Sequence, residues 1–412
     1  MNCRPGALIL FTLSTCLVGF AQRDRQANQG YNQDPSLREM TADPIFRDTT
    51  VPPPATRLST NLVKAADYGD PVAQTRLGLQ YAFGNGVARD DATAAKWFLR
   101  AAAAGVPEAQ FLLGYMYRNG RGVPRDNERA ARWFQSAADK GNPQAQAALA
   151  SLYIDGIGVP SNYPLAMKLA RSAAKHHVAG GEYNIGSIYK FGLGVTQNTS
   201  EAIKWYEKAT EHGSLDARVQ LGTIYVTGDG VPKNPKVGLR WLESAAEKGS
   251  PEAQYDLGYF YQRGELGTVD LAKARNYYQI AADQSFGFAQ LNLGNMYETG
   301  QGVEKDPDKA FAYYKAAADQ GIAIAQENVG TAYEWGLGTQ KDLAAALLWY
   351  GRASDQGDAS AQTKLAGLLF KGKGTVANRR QACELWKKAA EEGESIAGQN
   401  LQSQCSLTSA AN

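Results

Sequence analysis

The side chains that could carry chemistry are few. The chain has three histidines, His176, His177 and His212, and four cysteines, Cys3, Cys16, Cys383 and Cys405. Histidine can serve as a metal ligand or a general base, and an even pair of cysteines can close a disulfide. His176 and His212 are 36 residues apart, and both fall where a helix is expected to end, a place where a cation suits the helix dipole. Equivalent positions in successive repeats would hold these two a repeat width from each other. No cysteine or carboxylate stands beside them at a recognised metal spacing, so capping is the expected role and no metal site is predicted. The sequence has no nucleophile elbow, P-loop or dinucleotide fingerprint. The expectation is a chain with no catalytic residue and no cofactor, and therefore no enzyme.

Cys383 and Cys405 are placed differently. Cys383 falls near the start of one predicted helix and Cys405 near the end of the next, with the turn at Gly393-Glu394 midway between them. In an antiparallel pair, equal distance from the turn puts both at the same height, so a disulfide is expected. Closing that loop would contribute roughly 3 kcal/mol on the chain-entropy account. Two buried thiols are the alternative.

The elements that position these residues come from one unit written many times. An Ala followed by Leu, Gly and Tyr four, five and eight residues later recurs with a period of 36. The copies start at Ala73, Ala109, Ala145, Gly181, Ala217, Ala253, Ala289, Ala325 and Ala361, with a fragment at Ala397. A fixed period in this range is the signature of a solenoid. Within the first copy, Asp70-Pro71 is an N-cap followed by proline in the first turn. Ala73, Leu77 and Tyr81 then mark one helical face, in which Gly78 allows a second helix to approach. Gly84 ends that helix, and Asp90 caps the next. Ala94, Trp97, Phe98, Ala101 and Ala102 form the packing face of the second helix. Trp97, Trp133, Trp205, Trp241 and Trp349 share one place and are expected in the core. Each unit is thus a helical hairpin whose apolar face can be buried only by its neighbours. Leu62, Ala65, Ala66 and Gly69 repeat the second half of the unit, so a half-repeat caps the start.

These residues resemble the Sel-1-like repeat, a relative of the tetratricopeptide repeat. The pattern is Ala-Gln-x-x-Leu-Gly-x-x-Tyr, Gly-x-Gly-Val, then Ala-x-x-Trp-Tyr-x-x-Ala-Ala and Gly, and the copy AQFLLGYMYRNGRGVPRDNERAARWFQSAADKG keeps nearly all of it. The resemblance runs from Arg57 to Cys405. It implies an all-α, right-handed α-solenoid of about nine helix-turn-helix repeats with half-repeat caps, a class of scaffold that binds proteins or peptides. Matched to the tetratricopeptide repeat, it also implies a concave partner-binding surface at the second, third, sixth, ninth and tenth residues after the leading Ala. In the N-terminal half those positions give Arg76, Phe111, Tyr115, Arg118, Tyr183, Asn184 and Lys190. In the C-terminal half they give Tyr255, Asp256, Tyr259, Asn292, Asn295, Glu298, Asn328, Glu334 and Trp335. Asn184, Asn292 and Asn328 share one position, where an amide can bond a peptide backbone in both directions. Tyrosine and tryptophan beside them are typical anchors. The third copy departs most from the pattern, with Leu169-Ala170 for the aromatic pair and His176-His177 for the usual Lys-Gly ending.

The ends read differently. Arg4, the uncharged stretch Ala7–Phe20 and the small-x-small step Gly19-Phe20-Ala21 are the parts of an export signal, residues 1–21, leaving Gln22 as the new N-terminus. Residues 22–56, rich in Gln, Asn, Asp and Pro, read as a disordered linker, residues 57–405 as the solenoid, and residues 406–412 as a flexible tail. The formal charge of +2 comes from 43 basic and 41 acidic residues without a basic stripe, which argues against a nucleic-acid partner. The mature chain has no expected transmembrane segment. The expected protein is an exported, periplasmic or secreted monomer that binds a protein or peptide partner in envelope complex assembly or signalling. In a eukaryotic host the secretory pathway would take the place of the periplasm. The alternatives are a module binding peptidoglycan or another cell-wall glycan, and a β-lactam or cell-wall hydrolase.

Overall fold

The computed structural model describes residues 58–405, all of them in helices and the loops between them. The expected signal, the whole of the expected linker, Arg57 and the C-terminal tail lie outside the described residues. A lone helix α1 (Thr60–Asp67) precedes nine hairpins. The first four are α2 (Pro71–Phe83) with α3 (Asp91–Ala103), α4 (Pro107–Asn119) with α5 (Asn127–Asp139), α6 (Pro143–Asp155) with α7 (Tyr163–Ala174), and α8 (Ala179–Phe191) with α9 (Thr199–Glu211). Then come α10 (Leu215–Thr227) with α11 (Pro235–Glu247), α12 (Pro251–Arg263) with α13 (Leu271–Asp283), and α14 (Gly287–Thr299) with α15 (Pro307–Asp319). The last are α16 (Ala323–Trp335) with α17 (Leu343–Asp355) and α18 (Ala359–Lys371) with α19 (Arg379–Glu391), followed by α20 (Ser395–Asn400) and a π-helical turn at Leu401–Cys405. The architecture is an all-α solenoid of tandem hairpins. No helix among the described residues is long and apolar enough to cross a membrane.

The chain divides into two compact units, the first reaching Leu221 and including Asp229–Pro232, the second comprising Gly222–Gly228 and everything from Lys233. In the first unit Phe98, Leu113, Phe134 and Leu149 anchor the largest apolar cluster. In the second, Tyr314 with Val329 and Tyr350 with Trp386 anchor two. Burying one such side chain contributes about 1.5–3 kcal/mol.

Local chemistry explains why each hairpin turns where it does. An Asp or Asn caps the second helix in all nine, from Asp90, whose Oδ1 accepts from Thr93 N at 3.0 Å, to Asn378, which accepts from Gln381 N at 3.1 Å. Each such cap contributes about 0.5–2 kcal/mol where it satisfies an orphan N–H. First helices end on a left-handed glycine, as at Gly84 with φ 73°. The Leu-Gly step sits under the aromatic ring of the second helix. A Cβ on Gly78 would lie 2.6 Å from Cε1 of Phe98, and one on Gly330 would lie 2.6 Å from Cδ1 of Tyr350. The second loop glycine permits contact between repeats, since a Cβ on Gly122 would collide with the carbonyl oxygen of Asp91 in the preceding hairpin.

The tryptophan ladder meets the expectation at Trp349, which is buried, and departs from it at the other four. Trp97, Trp133, Trp205 and Trp241 are only partly buried, and there it is the following residue that is fully enclosed: Phe98, Phe134, Tyr206 and Leu242. The helix turns by about 100° per residue, so only one of two adjacent side chains can point at the glycine of the first helix. The tryptophan lies on the flank, where Arg100 stacks on Trp97 at 4.6 Å and Lys208 on Trp205 at 4.2 Å.

Candidate functional site

The first-helix positions expected to face a partner fall into three groups. At the third position two residues, one in each unit, serve contacts between repeats. Asn184, on α8, is 6% exposed, and its Nδ2 donates to the carbonyl of Ala147 on α6 at 2.9 Å. Asp256 is fully buried and accepts from Thr223 Oγ1 at 3.2 Å. In the first unit Lys190 is buried and ion-paired with Asp229. Phe111 and Tyr115 belong to the main apolar cluster, with the Phe111 ring 5.8 Å from that of Phe134. Five residues placed by sequence on the partner surface, Phe111, Tyr115, Asn184, Lys190 and Asp256, are therefore interior contacts. The reason is that the helix face toward the next repeat is wider than an Ala-Leu-Tyr stripe suggests.

In the second unit the ninth position is tied down within its own hairpin at Gln262, Glu298 and Glu334. Tyr278 donates to Gln262 Oε1 at 2.8 Å, Tyr314 to Glu298 Oε2 at 2.6 Å and Tyr350 to Glu334 Oε2 at 2.9 Å. Burial is the main reason that all three hydroxyls titrate well above the ordinary tyrosine value, and the nearby carboxylates add to it at Tyr314 and Tyr350. They stay protonated and act as donors.

The third group keeps contact with solvent. Arg76 is exposed, while Arg118, Tyr183, Tyr255, Tyr259, Asn292, Asn295 and Asn328 are half-buried. Tyr183 leans on Tyr206 with ring centroids 5.6 Å apart. Tyr255 meets Phe286 at 5.3 Å and Tyr259 at 6.4 Å, and Arg263 lies over Tyr259 at 5.4 Å. Trp335, in the last turn of α16, is 64% exposed.

A second cluster was not anticipated from the sequence. The ligand atoms of His177, Glu182 and His212 lie within 4.8 Å of one another. His212 caps the end of α9, and its Nδ1 is 2.7 Å from Oε2 of Glu182, a carboxylate on α8 whose side chain is 3% exposed. The rings of His177 and His212 are 4.8 Å apart. The histidine pair is thus His177 with His212, in place of the equivalent His176 and His212, because the helix-ending loop of one hairpin meets the end of the next. Both histidines are partly in solvent, whereas the carboxylate is not. Two imidazoles and one carboxylate are a donor set suited to a metal ion.

Cys383 and Cys405 are joined by a disulfide with Cα atoms 5.9 Å apart, linking α19 to the π-helical turn.

The Sel1 repeat family model matches residues 71–106, 107–142, 143–177, 179–214, 215–250, 251–286, 287–322, 323–358 and 359–394. Among solved structures, the chain is similar to a Sel1 repeat protein from Oxalobacter formigenes, at 28% identity over 82% of this chain and 95% of that one, with a TM-score of 0.52. It is also similar to a protective antigen of uropathogenic Escherichia coli with an SLR fold, at 29% identity over 83% and 81% of the two chains and a TM-score of 0.43. The human IFIT1 dimer shares the fold alone, at 16% identity, 85% and 86% coverage and a TM-score of 0.50. No curated protein matches the sequence. Between residues 71 and 394 the family model leaves out Val178 and nothing else, and every matched stretch is one of the hairpins built above, so the chain belongs to the Sel1 repeat family.

Proposed function

We propose that the chain is an exported scaffold that holds a protein or peptide partner against the solvent-facing first-helix residues of its repeats, in envelope complex assembly or signalling. The observation that carries this reading is Trp335, a large aromatic kept 64% exposed, with Leu337 beside it 44% exposed. A tryptophan in water has apolar contact to offer, and such residues dominate binding energy where a partner covers them. In the same unit Tyr255 and Tyr259 present half-exposed rings, and Asn292, Asn295 and Asn328 offer amides nearby in the repeat. Solenoids of this family serve as protein-binding scaffolds, which agrees with that surface. Export rests on Arg4, the uncharged stretch Ala7–Phe20 and the small-x-small step that follows.

Affinity capture from cell-envelope extract with the full chain tests the reading, with Trp335→Ala and Tyr259→Ala as the comparison. A partner held by the parent and lost by both variants, at unchanged helicity, supports it. A partner retained by both variants refutes this face, and sedimentation with purified sacculi would move the reading to a glycan. Mass spectrometry of the recovered protein checks export: a mature chain beginning at Gln22 supports it, and an intact Met1 refutes it.

A further inference from the structure

We propose that His177, Glu182 and His212 form a binding site for a divalent transition-metal ion of the zinc class. The case begins with what the other repeat junctions contain. In seven copies the second helix is followed by a glycine with positive φ, such as Gly141 at 84° and Gly213 at 101°. In most copies a glutamine follows the leading Ala of the next first helix. In three of them that glutamine accepts from another glutamine 30 residues later: Gln284 donates to Gln254 at 2.6 Å, Gln320 to Gln290 at 2.8 Å, and Gln356 to Gln326 at 2.8 Å. At the junction of the third and fourth hairpins all three places change together. His177 takes the glycine place, Glu182 the first glutamine place and His212 the second.

The fold then brings these three replacements to one point. Glu182 and His212 keep the same 30-residue spacing, so the imidazole lands on the carboxylate as the glutamines do on each other. His177 adopts φ 59°, a left-handed conformation that strains any residue carrying a Cβ. Ser285 takes the equivalent place at φ 63°, so strain alone assigns His177 no role; its ring, 4.8 Å from that of His212 and beside the Glu182 carboxylate, does. A metal ion accounts for all three.

The donors select the ion class. Two imidazoles and one carboxylate favour zinc and its neighbours Ni²⁺ and Cu²⁺ over the hard cations, which prefer all-oxygen shells. Water would complete the shell from the exposed side, where both histidine rings reach solvent. Zinc bonds of about 2.0–2.2 Å set neighbouring donors roughly 3.3 Å apart. The 2.7 Å separation of Nδ1 and Oε2 therefore belongs to a proton held between them. On binding, that proton passes to Nε2 of His212 or to water and the ion takes its place, opening the pair by roughly 0.6 Å and drawing in the exposed His177 ring.

The test is calorimetric titration of the full, untagged chain with Zn²⁺, supported by the visible absorption of bound Co²⁺. One ion per chain is expected. Two variants keep the fold by restoring residues that other junctions use: His177→Gly, and the double variant Glu182→Gln with His212→Gln. Each should weaken binding by more than the roughly 10–100-fold that loss of an outer-shell partner costs. His176→Ala should leave affinity unchanged. Absence of Zn²⁺ binding by the parent overturns the proposal, as does parental affinity in both ligand variants, or loss of binding in His176→Ala alone. Circular dichroism of each variant separates loss of a ligand from loss of the fold.

Discussion

Gly294 lies on α14 under the ring of Tyr314, and replacing it with alanine sets packing against helix propensity in a single methyl group. A Cβ there would stand 2.5 Å from Cδ1 and 2.6 Å from Cε1 of the ring, where ordinary contact begins near 3.4 Å. The ring would have to retreat by about 0.9 Å. It is poorly placed to do so, because it is buried and its hydroxyl is held by Glu298 at 2.6 Å. Overpacking of this kind costs about 1–3 kcal/mol. Straining or losing the hydroxyl contact adds about 1 kcal/mol, while alanine returns about 1 kcal/mol of helix propensity. The net expectation for Gly294→Ala is a loss of about 1–3 kcal/mol. Gly351, inside α17, has nothing within 4 Å of its Cβ direction. Gly351→Ala should therefore stabilise by about 0.5–1 kcal/mol. Urea denaturation followed by far-UV circular dichroism measures both, with amide exchange in α14 and α15 to catch local opening that a tandem array permits. A third variant isolates the cause. The third hairpin pairs Ala150 with Ala170 at the equivalent places, both fully buried. In a Tyr314→Ala background, Gly294→Ala should likewise cease to destabilise. If Gly294→Ala stabilises in the parent, or destabilises equally without the Tyr314 ring, the packing argument is refuted.

Other outcomes follow from the contacts between repeats. Burial tends to raise the Asp91 carboxyl, but hydrogen bonds from Arg89 and Arg121, at 2.8 and 2.7 Å, outweigh it and hold the group below its usual value. Its contribution is present above the unfolded value near 3.9 and is lost as pH falls through the lower folded value. Asp91→Asn should thus lower stability by about 1 kcal/mol at neutral pH, with the gap closing below about pH 3 in urea melts. Asn184→Ala removes the bond to Ala147 and should cost about 1–2 kcal/mol in the same assay while leaving partner affinity unchanged. Reducing the Cys383–Cys405 bridge should cost roughly 3 kcal/mol locally. Amide exchange should then accelerate in α20 and the π-helical turn, with none of that effect in α2–α9.

How far the sequence could be read depends on the offset at which a residue acts. The hairpins are legible because their causes are local: Asp90 caps a helix starting one residue later, and Gly84 ends one that has just finished. Such features recur with the period of 36, so comparing equivalent positions finds them. Contacts between repeats run at other offsets. Ala147 to Asn184 spans 37 residues and Thr223 to Asp256 spans 33, while Glu182 to His212, within one hairpin, spans 30. A residue chosen by its place within the repeat is thus assigned to a face without knowing what the next hairpin sets against it. That is why Asn184 reads as a peptide-binding amide when it is an internal strut, and why Trp97 reads as core when Phe98 occupies it. The same blindness hid the histidine cluster. At an offset of 36 His212 aligns with His176, the wrong partner. At 30 it faces Glu182, and the three Gln–Gln pairs at that spacing supply the pattern against which the substitution shows. In a tandem array, chemistry between repeats is to be sought at the contact offsets of the fold, which the repeat period alone does not reveal.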